Sequence, residues 1–219
     1  MKKSLLAGLL LSAAAVAWAP TARADLVSIG LQESGVNGGA ITTVGSGASS
    51  ASFSGAYGTF SFSSITGAGI PSVTFPDLLF SDSINTSTST AATLMVWVSG
   101  TSLTQPSGLA SLDSAFTANK VPAGWTVTEK TFYDAANTVY GTATPTGSAT
   151  FSAIGTATGT TLINFTTPFS LTHEYIITAT GSGTANDTID TSVPEPGSLL
   201  LLGTGLFALG LVGWSRRRA

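Results

Sequence analysis

The sequence predicts an all-β protein: an antiparallel β-sandwich or jelly-roll-like domain, followed by a short linker and a single C-terminal transmembrane helix. Three observations predict it. Apolar residues alternate with polar ones in TFSFSS, TLMVWV, GWTVTEKTFY and SLTHEYIITAT; period two with aromatic and β-branched residues is the pattern of a half-buried strand. Turn-formers separate these runs: VNGG (36–39), TGAGIP (66–71), VPAG (121–124), TPTG (144–147) and GSGTAND (181–187). A long charge-free apolar run then closes the chain.

The N-terminus reads MKKSLLAGLLLSAAAVAWAPTARAD. Lys2 and Lys3 make a basic start, Leu5 to Trp18 is apolar, and Ala22 and Ala24 supply the small residues a signal peptidase reads. Residues 1–24 are therefore expected to be a secretory signal peptide cleaved after Ala24. The apolar run is short for a membrane span.

The body follows, with a β-rich extracytoplasmic domain expected at 25–180. About a third of residues 25–192 are Ser or Thr. Such composition also suits a disordered stalk, but the alternating runs argue for folded strands. Between Asp25 and Ser192 the only cations are Lys120 and Lys130, against ten Asp and Glu, a net charge of −8. Nucleic acid demands a basic surface, so it is an unlikely partner. The chain has no cysteine, which excludes disulfides, thiol catalysis and thiolate metal sites.

Helical patterns are nearly absent, and only one segment could make a short helix. In GLASLDSAFTANK (108–120), Leu109, Leu112 and Phe116 fall at helical spacing. The stretch SGASSASFSGAYGTFSF (46–62) is low in bulk and suits an edge strand or a loop. Residues 181–192 are small and polar apart from Ile189, and read as a linker.

Candidate sites in the body are sparse. His173, the single histidine, lies on an alternating strand beside Glu174; a lone histidine there is ordinarily a structural residue. No Gly-x-Ser-x-Gly elbow occurs. The pairs Asp187/Asp190 and Asp77/Asp82 do not fit an EF-hand loop and read as solvated turn carboxylates. Trp97 and Trp125 suit core packing more than a sugar platform. Thr-x-Thr pairs recur at 86–90, 126–128, 142–146, 156–160 and 178–180. On strands such pairs share a face, which suits a polysaccharide- or ice-binding array as well as ordinary solvent-facing strands. No catalytic residue, metal site or cofactor is expected.

The tail, 193–219, is the most informative part. Ser198 to Trp214 is 17 residues long without a charge, enough for a helix of about 25 Å. Arg216, Arg217 and Arg218 follow, and positive residues stay in the cytoplasm. The body then lies outside, the arginines inside, and a stop-transfer helix between. Pro194 and Pro196 flank Glu195 and hold an extended peptide just outside the membrane.

Val193, Pro194, Glu195 and Pro196, an apolar span and the arginine cluster together resemble the PEP-CTERM protein-sorting signal. The resemblance covers about the last 27 residues. It implies recognition by exosortase, a membrane cysteine protease, with transient residence in the inner membrane and removal of the helix. It further implies delivery to the cell surface or extracellular matrix, often beside exopolysaccharide and biofilm. The same tail is also described as an ice-binding-protein C-terminal motif. More loosely, the body resembles the Ser/Thr/Gly-rich β domains that precede this signal. A non-enzymatic surface protein is the first expectation, a glycan- or ice-binding module the second. A secreted hydrolase is the third, and it requires His173 exposed in a cleft.

Overall fold

The computed structural model describes residues 25–75 and 78–194. The expected signal peptide, with Ala22 and Ala24, lies outside the described residues. So do Glu195, Pro196, the apolar tail and Arg216, Arg217 and Arg218.

Among the described residues, twelve strands form two six-stranded antiparallel sheets. They are β1 (Leu26–Glu33), β2 (Thr42–Ala48), β3 (Ser50–Tyr57), β4 (Phe60–Ala68), β5 (Phe80–Thr88) and β6 (Ala92–Leu103). The remainder are β7 (Gly108–Lys120), β8 (Thr126–Asp134), β9 (Thr144–Phe151), β10 (Gly155–Phe165), β11 (Phe169–Ala179) and β12 (Gly183–Ser192). The first sheet runs β2-β1-β6-β11-β8-β9, the second β10-β7-β12-β5-β4-β3. The fold is the expected all-β sandwich.

Alternation builds the core. Leu94, Val96 and Val98 of β6 point inward, as do Leu171, Tyr175 and Ile177 of β11 and Ile84 of β5, all fully or almost fully buried. Trp125, Phe60, Phe80, Phe116 and Phe169 fill the space between the sheets. Each such side chain removed from water stabilises the fold by about 1.5–3 kcal/mol.

At one side the sheets meet through the β2–β3 corner. A Cβ on Gly45 would lie 2.8 Å from the Ser52 carbonyl oxygen, and one on Gly47 would overlap the Ser50 carbonyl oxygen. Only residues without side chains let these two backbones approach so closely.

Two expectations are corrected. Residues 108–120 are not a helix but β7, paired with β10 from Gly108 to Ala118 and with β12 from Asp113 to Lys120. Its buried positions are Leu112, Ser114, Phe116 and Ala118, a period of two. Small Ser114 and Ala118 hide that period, and what remains in view is the accidental helical spacing of the large residues. Residues 181–192 are not a linker either, because β12 is the third strand of its sheet, paired with both β5 and β7. Its inward residues are Ala185, Asp187, Ile189 and Thr191; two polar residues among four erase the apolar signal.

The low-bulk stretch 46–62 becomes the end of β2, the whole of β3 and the start of β4, and β3 is indeed an edge strand.

Candidate functional site

The sorting segment begins where the sheet ends. Thr191 is buried and its carbonyl accepts from the Leu79 amide at 2.8 Å. Among the described residues Val193 is the last of the core, at 5% exposure, and Pro194 after it is exposed. Val193 therefore follows the last strand directly. The start of the body is equally fixed. The Asp25 amide donates to Ile70 O at 3.0 Å, and the Ile70 amide donates to Asp25 Oδ2 at 2.6 Å. Burial pushes the Asp25 carboxyl up to about 6, against the pull of that amide.

The outer face of the second sheet is largely polar away from Leu109 and Leu162. Cross-strand pairing aligns Thr156 (β10), Thr117 (β7), Thr188 (β12), Ser83 (β5), Thr66 (β4) and Ser52 (β3) in one row. Six hydroxyls thus cross all six strands, over roughly 24 Å at the usual strand spacing. Neighbouring rows hold Thr158, Asp190 and Ser81, and Asn186, Asn85 and Ser64. Ser81 Oγ donates to Asp190 Oδ1 at 2.5 Å, and Thr160 Oγ1 donates to Asp113 Oδ1 at 2.7 Å. Near the β3 edge the face continues into a shallow groove of about 420 Å³ lined by Ser46, Ser50, Ser52 and Thr66. Among the described residues no aromatic side chain occupies an outward strand position of this face, and its one basic residue, Lys120, stands at the end of β7 opposite Asn186. Recognition here would go through hydroxyl, amide and carboxylate hydrogen bonds rather than ring stacking.

Sequence reasoning located this face only in part. Of the Thr-x-Thr pairs, Thr156, Thr158 and Thr160 belong to it, while Thr86 and Thr88 point into the core. Thr126, Thr128 and Thr178 lie on the first sheet. The row is a product of register between distant strands.

Between the sheets lies a sealed cluster of ionisable groups. β5 and β12 supply Asp82 and Asp187, β8 supplies Glu129, and β11 supplies His173 and Tyr175, all at 2% exposure or less. Tyr175 Oη donates to Asp82 Oδ1 at 2.5 Å, and His173 Nδ1 lies 3.3 Å from Asp82 Oδ2. Phe80 packs edge-on against the His173 ring at 5.0 Å between centroids. Burial pushes Glu129 up to about 9, and the nearby carboxyls of Asp187 and Asp82 push the same way. Burial alone takes Asp187 to about 7. It also holds the Tyr175 phenol well above its ordinary range, with Asp82 adding to the effect. In low dielectric the neutral carboxylic acid is the favoured form.

This cluster corrects the reading of Asp82 and Asp187 as solvated turn carboxylates. Both are inward strand residues, Asp190 lies on the outer face, and Asp77 is outside the described residues. His173 is more deeply buried than expected, at 0% exposure. The exposed histidine that a secreted hydrolase required is not there. Among the described residues, no group of three His, Asp or Glu side chains is arranged to hold a metal ion. Trp125 is a core residue at 1% exposure, and Trp97, at 9%, is covered on the outer side of the first sheet.

Residues 192–219 match the PEP-CTERM protein-sorting motif. The chain thus carries a sorting signal of exported proteins, beginning at the last residue of β12. A comparison with curated proteins gives no match. Among solved structures the chain is similar to the enzymatically active domain of bacteriophage CBA120 tailspike protein 4. That likeness has 14% identity and a TM-score of 0.34, over 62% of this chain and 19% of the tailspike chain. It is also similar to TmCBM61, solved with β-1,4-galactotriose (10% identity, TM-score 0.28, 51% of this chain and 70% of the other). A third is the mannan-recognising carbohydrate-binding module TmCBM27 (11% identity, TM-score 0.28, 64% and 88%). These likenesses are distant, and no ligand or activity is taken from them.

Proposed function

We propose that the protein is a non-enzymatic component of the cell surface or extracellular matrix, delivered there by exosortase acting on its C-terminal motif. The motif at 192–219, directly following a complete β-sandwich, carries this reading. In it, residues 198–214 halt export in the inner membrane and Arg216, Arg217 and Arg218 stay in the cytoplasm. The extended Val193-Pro194-Glu195-Pro196 peptide is then offered to the protease. Cutting beyond Pro194 leaves every described core residue in place, Val193 being the last of them. Intact-mass spectrometry of the native surface protein tests this. The mature mass should lack residues 197–219, and a strain without exosortase should keep the full tail in its inner membrane. A surface form that retains 197–219 would overturn the proposal.

A second reading adds a task to this route: the sandwich is a glycan- or ice-binding module, with exopolysaccharide or a surface glycan as partner. The hydroxyl row from Thr156 to Ser52 favours it. Affinity electrophoresis through soluble exopolysaccharide should retard the protein relative to a gel without polysaccharide. Equal mobility in both, together with no ice adsorption, would refute it.

A further inference from the structure

Both termini of the described chain emerge at one end of the sandwich. Asp25 enters β1 beside Ile70, and Val193 leaves β12 beside Leu79. The registers bring the starts of β1, β5, β7 and β11 and the ends of β4, β6, β8 and β10 to this same end. Among the described residues five large apolar side chains are exposed. Four of them, Leu26, Leu109, Val139 and Leu162, belong to this end; Ile154, in the β9–β10 turn, marks the opposite one.

Two of the four sit on an overhang. Ser192 of β12 pairs with Asp113 of β7, yet β7 continues outward to Gly108, still paired with β10 through Phe165. An extended chain leaving β12 along its strand would draw level with Leu109 only at about residue 196. Leu109 pairs with Asn164 and Leu162 with Ser111, so the two leucines are diagonal neighbours on the outer face. They are 69% and 64% exposed.

The charges at this end are muted. The two described cations are elsewhere: Lys120 closes β7 at the far end, and Lys130 is tied to Glu174 at 3.3 Å on the first sheet. Of the acids described at the near end, Asp25 and Asp134 are buried, while Asp113 and Asp190 are half-buried on the outer face and accept from Thr160 and Ser81. The tail must enter the bilayer close by. From Pro194 to Ser198 an extended chain spans at most about 14 Å.

We propose that this end of the sandwich lies on the outer surface of the bilayer while the tail is in place, with Leu26, Leu109, Val139 and Leu162 in the headgroup region. The proposal rests on the reading of residues 198–214 as a membrane span. The contact is apolar and carries no cation, so it selects no anionic headgroup. It presses the Pro-Glu-Pro peptide against the membrane plane, where a membrane protease works. Four scattered side chains hold weakly once the covalent anchor is gone, so the processed domain leaves.

The absence of native cysteine makes the test direct. Full-length chains carrying one fluorophore each, through Leu26→Cys, Leu109→Cys, Val139→Cys or Leu162→Cys, are reconstituted into phosphatidylcholine vesicles. Ile154→Cys is the far-end control and Leu206→Cys reports the tail. With nitroxide-headgroup lipid present, the four near-end labels should lose emission while the Ile154→Cys label keeps it. Near-end labels as bright as the Ile154→Cys label, with the Leu206→Cys label protected from aqueous iodide, would overturn the surface contact and leave the span intact. A Leu206→Cys label open to iodide would overturn the span and the contact together.

Discussion

Glu129 is fully buried beside two other buried carboxyls, and its proton follows from that. Around it stand Asp82 of β5 and Asp187 of β12, with Tyr175 its cross-strand partner on β11 and His173 beside Asp82. Folding raises Glu129 from 4.5 to about 9 and Asp187 from 3.8 to about 7. An acid whose folded value is raised binds its proton more tightly in the folded state, so its protonation favours folding. That contribution is complete below about pH 4, and is lost as pH rises through 7 and then 9. The thermal midpoint should therefore fall between pH 5 and pH 9.5, on the order of 10 °C. Glu129→Gln keeps the shape without the charge, and should flatten the upper part of that fall. Circular dichroism melts across this range check both, and a midpoint that rises with pH contradicts the account. The sequence announces part of this cluster. Alternation places His173 and Tyr175 on the inner face of their strand. It does not reveal that Glu129 and Asp187 point to the same place, because a charge in a strand reads as an outward residue unless its partners across the sheets are known.

At the scale of elements, legibility followed the size of the inward residues. β6, β8 and β11 bury Leu, Val, Ile, Trp97's neighbours and Tyr175, and their alternation was plain. β7 and β12 bury Ser114, Ala118, Asp187 and Thr191 instead, so one resembled a helix and the other a linker. β12 is nonetheless indispensable, since both its edges are paired and removing it leaves β5 and β7 with open edges in mid-sheet. A chain ending at Pro194 should fold and melt cooperatively. One ending at Ser182 loses Ala185, Ile189 and Val193 from the core and should show no cooperative melt. If the shorter chain melted like the longer one, β12 would be dispensable and the residues 181–192 a linker after all.

Across the whole molecule, the two ends and the two outer faces divide the work. The sorting motif was legible in the C-terminal segment, because it is written in a contiguous run of residues. The polar face was not, because Thr117 and Thr188 meet only through pairing of strands 71 residues apart in sequence. If that face holds a polysaccharide, it does so through hydroxyls, and the hydroxyls can be removed without changing its shape. Thr66→Val, Thr117→Val and Thr188→Val keep the β-branch that suits a strand, so the melt should hardly move. A hydrogen bond contributes about 1 kcal/mol net, or roughly fivefold in affinity for each hydroxyl that touches the ligand. The triple variant should then lose most of its retardation in exopolysaccharide gels, while a Thr93→Val variant on the opposite sheet loses none. Ice adsorption depends on flatness as well, so Thr117→Tyr, which raises a ridge across the row, should abolish it. Undiminished binding by both the triple variant and Thr117→Tyr would leave this face as solvated surface, and would place any ligand on the other sheet.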